Sequence, residues 1–126
     1  MKGVYLSLGS NFGDRRSNVE NALLRMEEIL KDVRKSEVYE TKAVHGFGPA
    51  YFNAVIYGTT DLEYEEFNIF LKGYEKGCGR TPESKLRNEV VIDLDIVVWD
   101  NEIVRPIDFA REFFQIGYKE MQIGNE

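Results

Sequence analysis

The first thirty residues change from a two-residue spacing of hydrophobic positions to a helical one. Between Gly3 and Leu8 every second residue is aliphatic, which predicts a β-strand. After a turn-rich run from Gly9 to Asp14, apolar residues recur every three or four positions. This stripe predicts an amphipathic helix over residues 15–31, with glutamates on its outer face.

The remaining chain continues this succession of strands and helices. Thr60, followed three residues later by Glu63, has the spacing of a capping box and predicts a second helix, which should end at Gly77 or Gly79. The other predicted elements are strands at Val33–Tyr39, Tyr51–Tyr57, Val90–Trp99 and Glu102–Val104, loops at Thr41–Ala50 and Thr81–Glu89, and a partly helical tail from Ile107.

The element order β-α-β-β-α-β predicts an α+β fold. It is the order of the ferredoxin-like, or split βαβ, arrangement, an antiparallel sheet with both helices on one face. The opposite face should stay free for loops and a ligand. With 126 residues, of which 43% are hydrophobic, the chain is long enough for one core, so we predict a single domain over residues 1–126.

Charge and the rarest residues narrow the classes of function. The net charge of −6 argues against general nucleic-acid binding, although a local basic cluster would suffice for one small phosphorylated substrate. A single cysteine, Cys78, and a single histidine, His45, exclude an intrachain disulfide and a Cys- or His-rich metal site. No apolar run reaches the roughly 18 residues of a membrane span, and no export signal precedes the first strand. We expect a cytoplasmic protein whose partners are small molecules, with neither nucleic acid nor membrane among them.

Two aspartates interrupt the most hydrophobic predicted strand. Alternation directs Ile92, Leu94, Ile96 and Val98 towards the helices, and Asp93 and Asp95 towards the opposite face, about 6.6 Å apart. Two like charges at that distance repel each other, and a divalent cation such as Mg²⁺, held by one or two carboxylates and substrate phosphates, would offset the repulsion. The alternative is that one aspartate pairs with an arginine and the other is exposed.

A basic stretch leads into the aspartate strand. From Lys72 to Arg87 the chain has five cations and two glutamates, a local charge of +3 in an acidic protein. Such a stretch beside a metal suits a polyphosphate, whose oxygens the cations neutralise. The alternative is a solvated helix end whose lysines complement the helix dipole. We favour that alternative for Lys72 and Lys76, and both interpretations stay open for Arg80, Lys85 and Arg87.

Tyr51 and Asn53 share one face of the third predicted strand. An aromatic ring beside an amide, on the face that also has the aspartates, would stack on and hydrogen-bond a flat heterocycle. A core tyrosine beside a satisfied asparagine is the alternative at this spacing.

Taken together, the motifs resemble the 6-hydroxymethyl-7,8-dihydropterin pyrophosphokinases of folate biosynthesis, in order and over almost the whole chain. The motifs that carry the resemblance are Tyr5-Leu-Ser-Leu-Gly-Ser-Asn11, Tyr39-Glu-Thr41, Tyr51-Phe-Asn53, Glu75 with Gly79-Arg80, Asp93-Leu-Asp95-Ile96, Arg111-Glu-Phe113 and Glu120-Met121.

The resemblance implies a fold, a reaction and a set of roles. Members of this family have the ferredoxin-like fold and transfer pyrophosphate from ATP to the hydroxymethyl group of a dihydropterin, releasing AMP, with two Mg²⁺ ions bound alongside ATP. The implied metal ligands and catalytic residues are Asp93 and Asp95, with Arg80 as a third catalytic residue. The implied pterin contacts are Thr41, Tyr51, Asn53 and Phe113, and the implied ATP contacts are Glu75, Arg80, Ile96 and Arg111, joined by Lys85 and Arg87.

Several positions depart from the family pattern, chiefly among those that would hold ATP. Val90 and Pro82 stand where the family has arginines, Arg87 where it commonly has tryptophan, and Ile107 where it has histidine. Lys85, Arg87 and Arg105 are candidates for the substitute charge. The competing hypotheses are a divergent pterin- or nucleotide-binding relative without the activity, and a ferredoxin-like interaction module. We expect a monomer.

Overall fold

Six strands and five helices form within residues 1–123, the part of the chain that the computed structural model describes. The strands are β1 (Lys2–Ser10), β2 (Lys31–Lys35), β3 (Tyr39–Thr41), β4 (Tyr51–Thr60), β5 (Asp93–Trp99) and β6 (Glu102–Ile103). The helices are α1 (Arg15–Ile29), α2 (Tyr64–Gly77), α3 (Pro82–Leu86), α4 (Pro106–Ala110) and α5 (Glu112–Ile123). The predicted α+β class is confirmed.

All strands belong to one antiparallel sheet in the order β2-β4-β1-β5-β6, and β3 pairs with β4 beyond the end of β2. β1 is therefore central, flanked by β4 and β5. Its residues Ser7 and Gly9 lie opposite Asp95 and Asp93 of β5, and Gly9 also lies opposite Asn53 of β4. This register brings three distant segments together at one end of the sheet.

Each face of the sheet has its own hydrophobic core. On one face, aliphatic residues of β1 and β5 pack against α1 and α2, and this core includes Leu6, Leu94, Ile96, Met26 and Phe67. The opposite face packs against the C-terminal helices through a smaller core of Val55, Val97, Val98, Phe114 and Met121. The prediction that the second face stays free is wrong for this part of it, because α5 covers β4 there.

A β-bulge in β5 overturns one predicted side-chain direction. Tyr5 pairs with Val98, whereas the next residue, Leu6, pairs with Ile96, so Val97 is an extra residue on β5. Val97 and Val98 consequently both join the core under α5, and the prediction that Val98 faces α1 and α2 is wrong. An inserted residue breaks the two-residue alternation and changes the direction of the strand beyond it.

Side-chain hydrogen bonds displace two predicted strand ends. The predicted strand Val33–Tyr39 is interrupted at Ser36, whose hydroxyl accepts the Val55 N–H at 2.9 Å and donates to the Glu37 carbonyl at 2.8 Å. The predicted strand from Val90 begins only at Asp93. Three residues earlier, the Val90 N–H donates to Asn11 Oδ1 at 2.6 Å instead of joining the sheet.

Two local predictions in the second half also differ from the structure. The capping box of α2 is formed by Glu63 and Glu66, because Thr60 ends β4 and its hydroxyl accepts the Leu62 N–H. The predicted loop Thr81–Glu89 contains the short helix α3, which begins with Thr81 as its N-cap and Pro82 in its first turn.

Candidate active site

A cleft of about 220 Å³ opens over the end of the sheet where β1, β4 and β5 meet. Its lining residues are Ser7, Gly9, Thr41, Lys42, Val44, His45, Tyr51, Asn53, Asp93, Asp95, Arg105, Asp108 and Phe113. Six of these were predicted site residues: Thr41, Tyr51, Asn53, Asp93, Asp95 and Phe113. Small residues on β1 make room for the cleft, since a Cβ at Gly9 would lie 3.3 Å from Asn53 Oδ1 and 3.4 Å from Tyr51 Cδ2.

The two aspartates lie at one side of the cleft and each contacts a cation. Arg80 Nη1 lies 3.0 Å from Asp93 Oδ1, and Lys72 Nζ lies 3.2 Å from Asp95 Oδ1. Arg105 Nη1 is 4.0 Å from that same Asp95 oxygen. The side chains of Asp93 and Asp95 are 39% and 21% exposed, so both carboxylates are accessible from solvent.

Glu75 of α2 links these ion pairs to the backbone of β5. β6 pairs with Val98 and Trp99, so within residues 1–123 no strand lies beside the outer edge of β5 at Leu94. There the Leu94 N–H donates to Glu75 Oε2 at 2.6 Å, and the Leu94 carbonyl accepts from Lys72 Nζ at 2.8 Å. The two side chains therefore provide the hydrogen bonds that a strand would otherwise make, and they position the segment that contains both aspartates.

The same network sets the protonation behaviour of Glu75 and Lys72. Glu75 is 3% exposed and contacts Lys72 at 3.1 Å and Arg80 at 3.5 Å. Burial raises the pKa of Glu75, even though the Leu94 N–H and Lys72 favour its charged form. Burial alone would lower the pKa of Lys72, but the carboxylates of Asp95 and Glu75 outweigh it and raise that pKa. Lys72 is therefore a cation at neutral pH.

The opposite side of the cleft has an amide in a fixed orientation. The buried Asn53 donates through Nδ2 to Thr41 Oγ1 at 2.8 Å and to the carbonyls of Tyr51 and Tyr39 at 3.3 and 3.4 Å. These bonds place the amide oxygen on the side of Gly9, where it can accept from a ligand. Burial, together with the nearby Asp93, raises the pKa of the Tyr51 hydroxyl, so Tyr51 is neutral.

Phe113, at the start of α5, reaches the cleft because its backbone is anchored. The Tyr39 hydroxyl donates to the Phe113 carbonyl at 2.5 Å and accepts the Gly117 N–H at 3.1 Å. A Cβ at Gly117 would lie 2.8 Å from Val55 Cγ2, so glycine allows α5 to approach β4 this closely. The aromatic part of the cleft therefore depends on the docking of α5.

The other predicted site residues lie outside this cleft. Lys85 and Arg80 line a second cavity of about 210 Å³ beside α3, and Arg87 pairs with Glu89 at the surface at 2.8 Å. Ile96 is buried in the core on the face of α1 and α2. Arg111 is the C-cap residue of α4 and is exposed.

The structure adds two cations to the predicted set. Lys72, interpreted from the sequence as a helix-end lysine, contacts Asp95, and the signal for it was its helical spacing of three from Glu75. Arg105, considered only as one source of substitute charge, lines the cleft beside Asp108, with which it forms an ion pair. The backbone N–H groups of Val104 and Arg105 both reach the carbonyl of the bulged Val97, at 2.9 and 3.4 Å, and this places Arg105 near Asp95.

The donor chemistry fits a magnesium ion. Among residues 1–123 no group of three or more His, Cys, Asp or Glu side chains is arranged to hold a metal. Asp93 and Asp95 offer a pair of partly exposed carboxylates, and Mg²⁺ commonly binds through one or two carboxylates, with substrate phosphates and water as its other ligands. The pair fits an ion that arrives with a phosphorylated substrate.

The cleft also bears on the interaction-module hypothesis. Both carboxylates paired to arginines, with no open cleft beside Tyr51, would support that hypothesis. Asp93 does pair with Arg80, but the cation nearest to Asp95 is Lys72, and the cleft beside Tyr51 is open.

Fold and site together define an α+β protein with a paired-carboxylate cleft suited to a divalent cation and a flat polar ligand. Comparison with known families agrees with this class. The model of the 7,8-dihydro-6-hydroxymethylpterin-pyrophosphokinase (HPPK) family matches residues 5–122, and the chain belongs to that family. The resemblance noted from the sequence motifs is thereby confirmed.

Three relatives illustrate the similarity. The chain is 38% identical over 107 residues to the 2-amino-4-hydroxy-6-hydroxymethyldihydropteridine pyrophosphokinase of Aquifex aeolicus, covering 83% of this chain and 66% of that protein. It is 37% identical over 98 residues to a folate synthesis bifunctional protein of Arabidopsis thaliana, covering 76% of this chain and 20% of that protein. It is 34% identical over 104 residues to a mitochondrial folate synthesis bifunctional protein of Pisum sativum, covering 81% and 20%. The chain thus spans just under two thirds of the first relative and a fifth of the other two.

No helix within residues 1–123 is both long enough and apolar enough to span a membrane.

Proposed function

We propose that this chain transfers pyrophosphate from ATP to the hydroxymethyl group of 6-hydroxymethyl-7,8-dihydropterin and releases AMP, with Mg²⁺ bound by Asp93 and Asp95. The observation that carries the proposal is the position of the two aspartates on the cleft that also contains Asn53 and Tyr51. Family membership and the names of the relatives support the same reaction.

The amide side of the cleft suits the pterin. Asn53 Oδ1 and Thr41 present polar groups to the edge of a flat heterocycle, and the rings of Tyr51 and Phe113 enclose its faces. The fixed amide orientation favours a ligand that donates hydrogen bonds, as the amino and ring N–H groups of a pterin do. Because Asn53 is buried, a ligand unable to donate leaves its amide oxygen unpaired, which costs affinity.

The charged side of the cleft suits the polyphosphate. In the transfer, the substrate hydroxyl loses its proton to solvent as its oxygen bonds to the β-phosphorus, the bond from that phosphorus to the oxygen bridging to the α-phosphate breaks, and AMP leaves with that oxygen. Magnesium supplies charge neutralisation at the transferred group when bound. Arg80, Lys72 and Arg105 surround the aspartates and orient the phosphates by their positive charge.

The remaining predicted site residues have smaller or indirect roles in the proposed reaction. Lys85 and Arg87 lie on or next to α3, outside the cleft, and contribute positive charge only from a distance, with Arg87 partly neutralised by Glu89. Ile96 contacts nucleotide only through its backbone, because its side chain is in the core. Glu75 acts by holding Lys72, Arg80 and β5, and Arg111 acts from the end of α4.

The finer architecture and setting are part of the same proposal. When β2 and β3 are counted as one interrupted edge strand, the order β2-β4-β1-β5 and the placement of α1 and α2 on one face support a ferredoxin-like topology. We further propose that residues 1–126 form a single domain that acts as a cytoplasmic monomer.

The decisive experiment measures the nucleotide product. The protein is incubated with ATP, Mg²⁺ and the dihydropterin alcohol, and nucleotides are separated by chromatography. AMP should form only when all three are present, and formation of ADP would reject the proposal.

The departures at Val90, Pro82 and Ile107 favour a second candidate, a relative that binds pterin without catalysis. Calorimetry separates the two. Pterin binding that is independent of MgATP, together with no AMP, would favour the binding protein.

A further inference from the structure

Lys72 lies in the C-terminal half of α2, but its side chain contacts β5 instead of extending into solvent. Its ammonium group has three oxygen neighbours: the Leu94 carbonyl at 2.8 Å, Glu75 Oε2 at 3.1 Å and Asp95 Oδ1 at 3.2 Å. An ammonium group has three donors, so these contacts satisfy it completely. Lys72 is therefore bound inside the acidic cluster, like an ion, although it belongs to the chain.

We propose that Lys72 is a built-in counter-cation of Asp95 that a divalent cation must displace, so that Lys72 sets the metal concentration at which the site fills. This inference rests on the proposed metal site at Asp93 and Asp95. It concerns a residue outside the motifs that carry the family resemblance, and it makes Lys72 a positioning residue that acts through Asp95.

The distances require competition between Lys72 and the metal. A magnesium ion lies about 2.0–2.1 Å from each ligand oxygen. An ammonium group 3.2 Å from the same Asp95 oxygen would then be within roughly 5 Å of a doubly charged ion, a strongly repulsive arrangement in a partly buried site. The ammonium group must withdraw from Asp95 before the metal can bind with its full affinity.

The other contacts of Lys72 keep the proposed withdrawal short. Two of the three oxygens around Lys72 Nζ, those of Leu94 and Glu75, do not belong to the two metal-binding aspartates. Glu75 is buried and held by the Leu94 N–H at 2.6 Å, so it stays in place as an anchor. Lys72 can exchange Asp95 for a phosphate oxygen of the incoming nucleotide while it keeps both other contacts. The positive charge of Lys72 neutralises Asp95 while no metal is bound, and it neutralises a phosphate of the nucleotide once the metal has bound.

The test uses Mn²⁺ as the probe, because the free ion is counted directly by electron paramagnetic resonance. Binding is titrated with and without a non-hydrolysable ATP analogue in the wild type, Lys72→Gln and Lys76→Gln. The glutamine at position 72 removes the charge but keeps an amide donor for Leu94 and Glu75. Lys76 is the matched control, an exposed lysine one turn further along α2.

We expect Lys72→Gln to lower the Mn²⁺ dissociation constant by about tenfold or more, because one unit of positive charge is removed beside the metal. Lys72→Arg, which keeps the charge, should stay close to the wild type, and so should Lys76→Gln. Circular dichroism checks that each variant is folded. Lys72→Met, which retains the aliphatic stem, replaces the glutamine variant if that variant does not fold.

Each outcome decides the question. Tighter Mn²⁺ binding in Lys72→Gln alone supports the inference. Equal or weaker binding in Lys72→Gln, with a wild type that binds Mn²⁺, overturns the inference and leaves the proposed function standing. A wild type that binds no Mn²⁺ even with the nucleotide analogue overturns both.

Discussion

Replacing Asp95 with asparagine should remove activity and leave the fold nearly unchanged. The substitution keeps the shape of the side chain and deletes its charge. Asp95 is paired with Lys72 at 3.2 Å and lies 4.0 Å from Arg105, and the side chains of these cations are 39% and 47% exposed. Solvent-exposed ion pairs contribute about 0.2–1 kcal/mol each, and the loss is offset by relief of the repulsion between Asp95 and Asp93. We expect the free energy of unfolding to change by less than about 1 kcal/mol, which corresponds to a few degrees in Tm.

The effect of the same variant on catalysis should be much larger. Loss of one of the two carboxylate ligands weakens the binding of the metal. The stabilisation that the metal gives to the transferred pyrophosphate should then fall by several kcal/mol. A loss of about 4 kcal/mol corresponds to a roughly thousandfold lower kcat/KM for AMP formation. AMP is measured by chromatography and stability by thermal melting, with Asp61→Asn as an exposed control far from the cleft.

Two results would refute this reasoning. If Asp95→Asn keeps wild-type activity, Asp95 is not a metal ligand. If the variant loses activity only because it unfolds, the ion pairs around Asp95 stabilise the protein far more than their exposure indicates.

Three further predictions follow from the described contacts. Arg105→Met should raise the KM for ATP about tenfold, as expected for a charged hydrogen bond to phosphate, without changing pterin affinity. The control Arg25→Met, at a half-exposed arginine that pairs with Glu28 on α1, should change neither; unaltered kinetics in Arg105→Met would remove Arg105 from the nucleotide site. Gly117→Ala should lower stability by about 1–3 kcal/mol in urea unfolding, because its Cβ would lie 2.8 Å from Val55, and a more stable variant would contradict this packing. Because burial raises the pKa of Glu75, the folded chain binds that proton more tightly than the unfolded chain does. The wild type should therefore gain stability relative to Glu75→Gln as the pH falls through that pKa towards the ordinary value of 4.5, and lose it as the pH rises; a pH-independent difference in unfolding would count against it.

Local patterns predicted most of the regular structure correctly. The first strand, the two long helices and the strand at Tyr51 appear close to their predicted places, since two-residue and helical spacings of apolar side chains are visible in neighbouring residues. The same local alternation placed Asp93 beside Asp95, and Tyr51 beside Asn53, on one face. The two pairs meet over Gly9 because both strands flank β1. The predicted topology requires this neighbourhood of strands, but it does not give the register that places Gly9 between the two pairs.

Packing between distant segments decided what local pattern could not. The bulge at Val97 depends on how β5 pairs with β1, and it both reverses Val98 and brings Arg105 towards Asp95. No spacing along the chain reveals an inserted residue, because the alternation of side chains looks the same until the partner strand is known.

By itself, the amino-acid sequence determined the α+β class, the family and the identity of the two acids, because each is recorded in residues close together along the chain. Only the tertiary structure decided which cations neutralise those acids. Lys72 and Arg105 are separated from Asp95 by 23 and 10 positions, and they reach it because α2 lies against the unpaired edge of β5 and because the chain after β6 returns to the bulge. Ion pairs depend on distance in space, and folding alone establishes that distance.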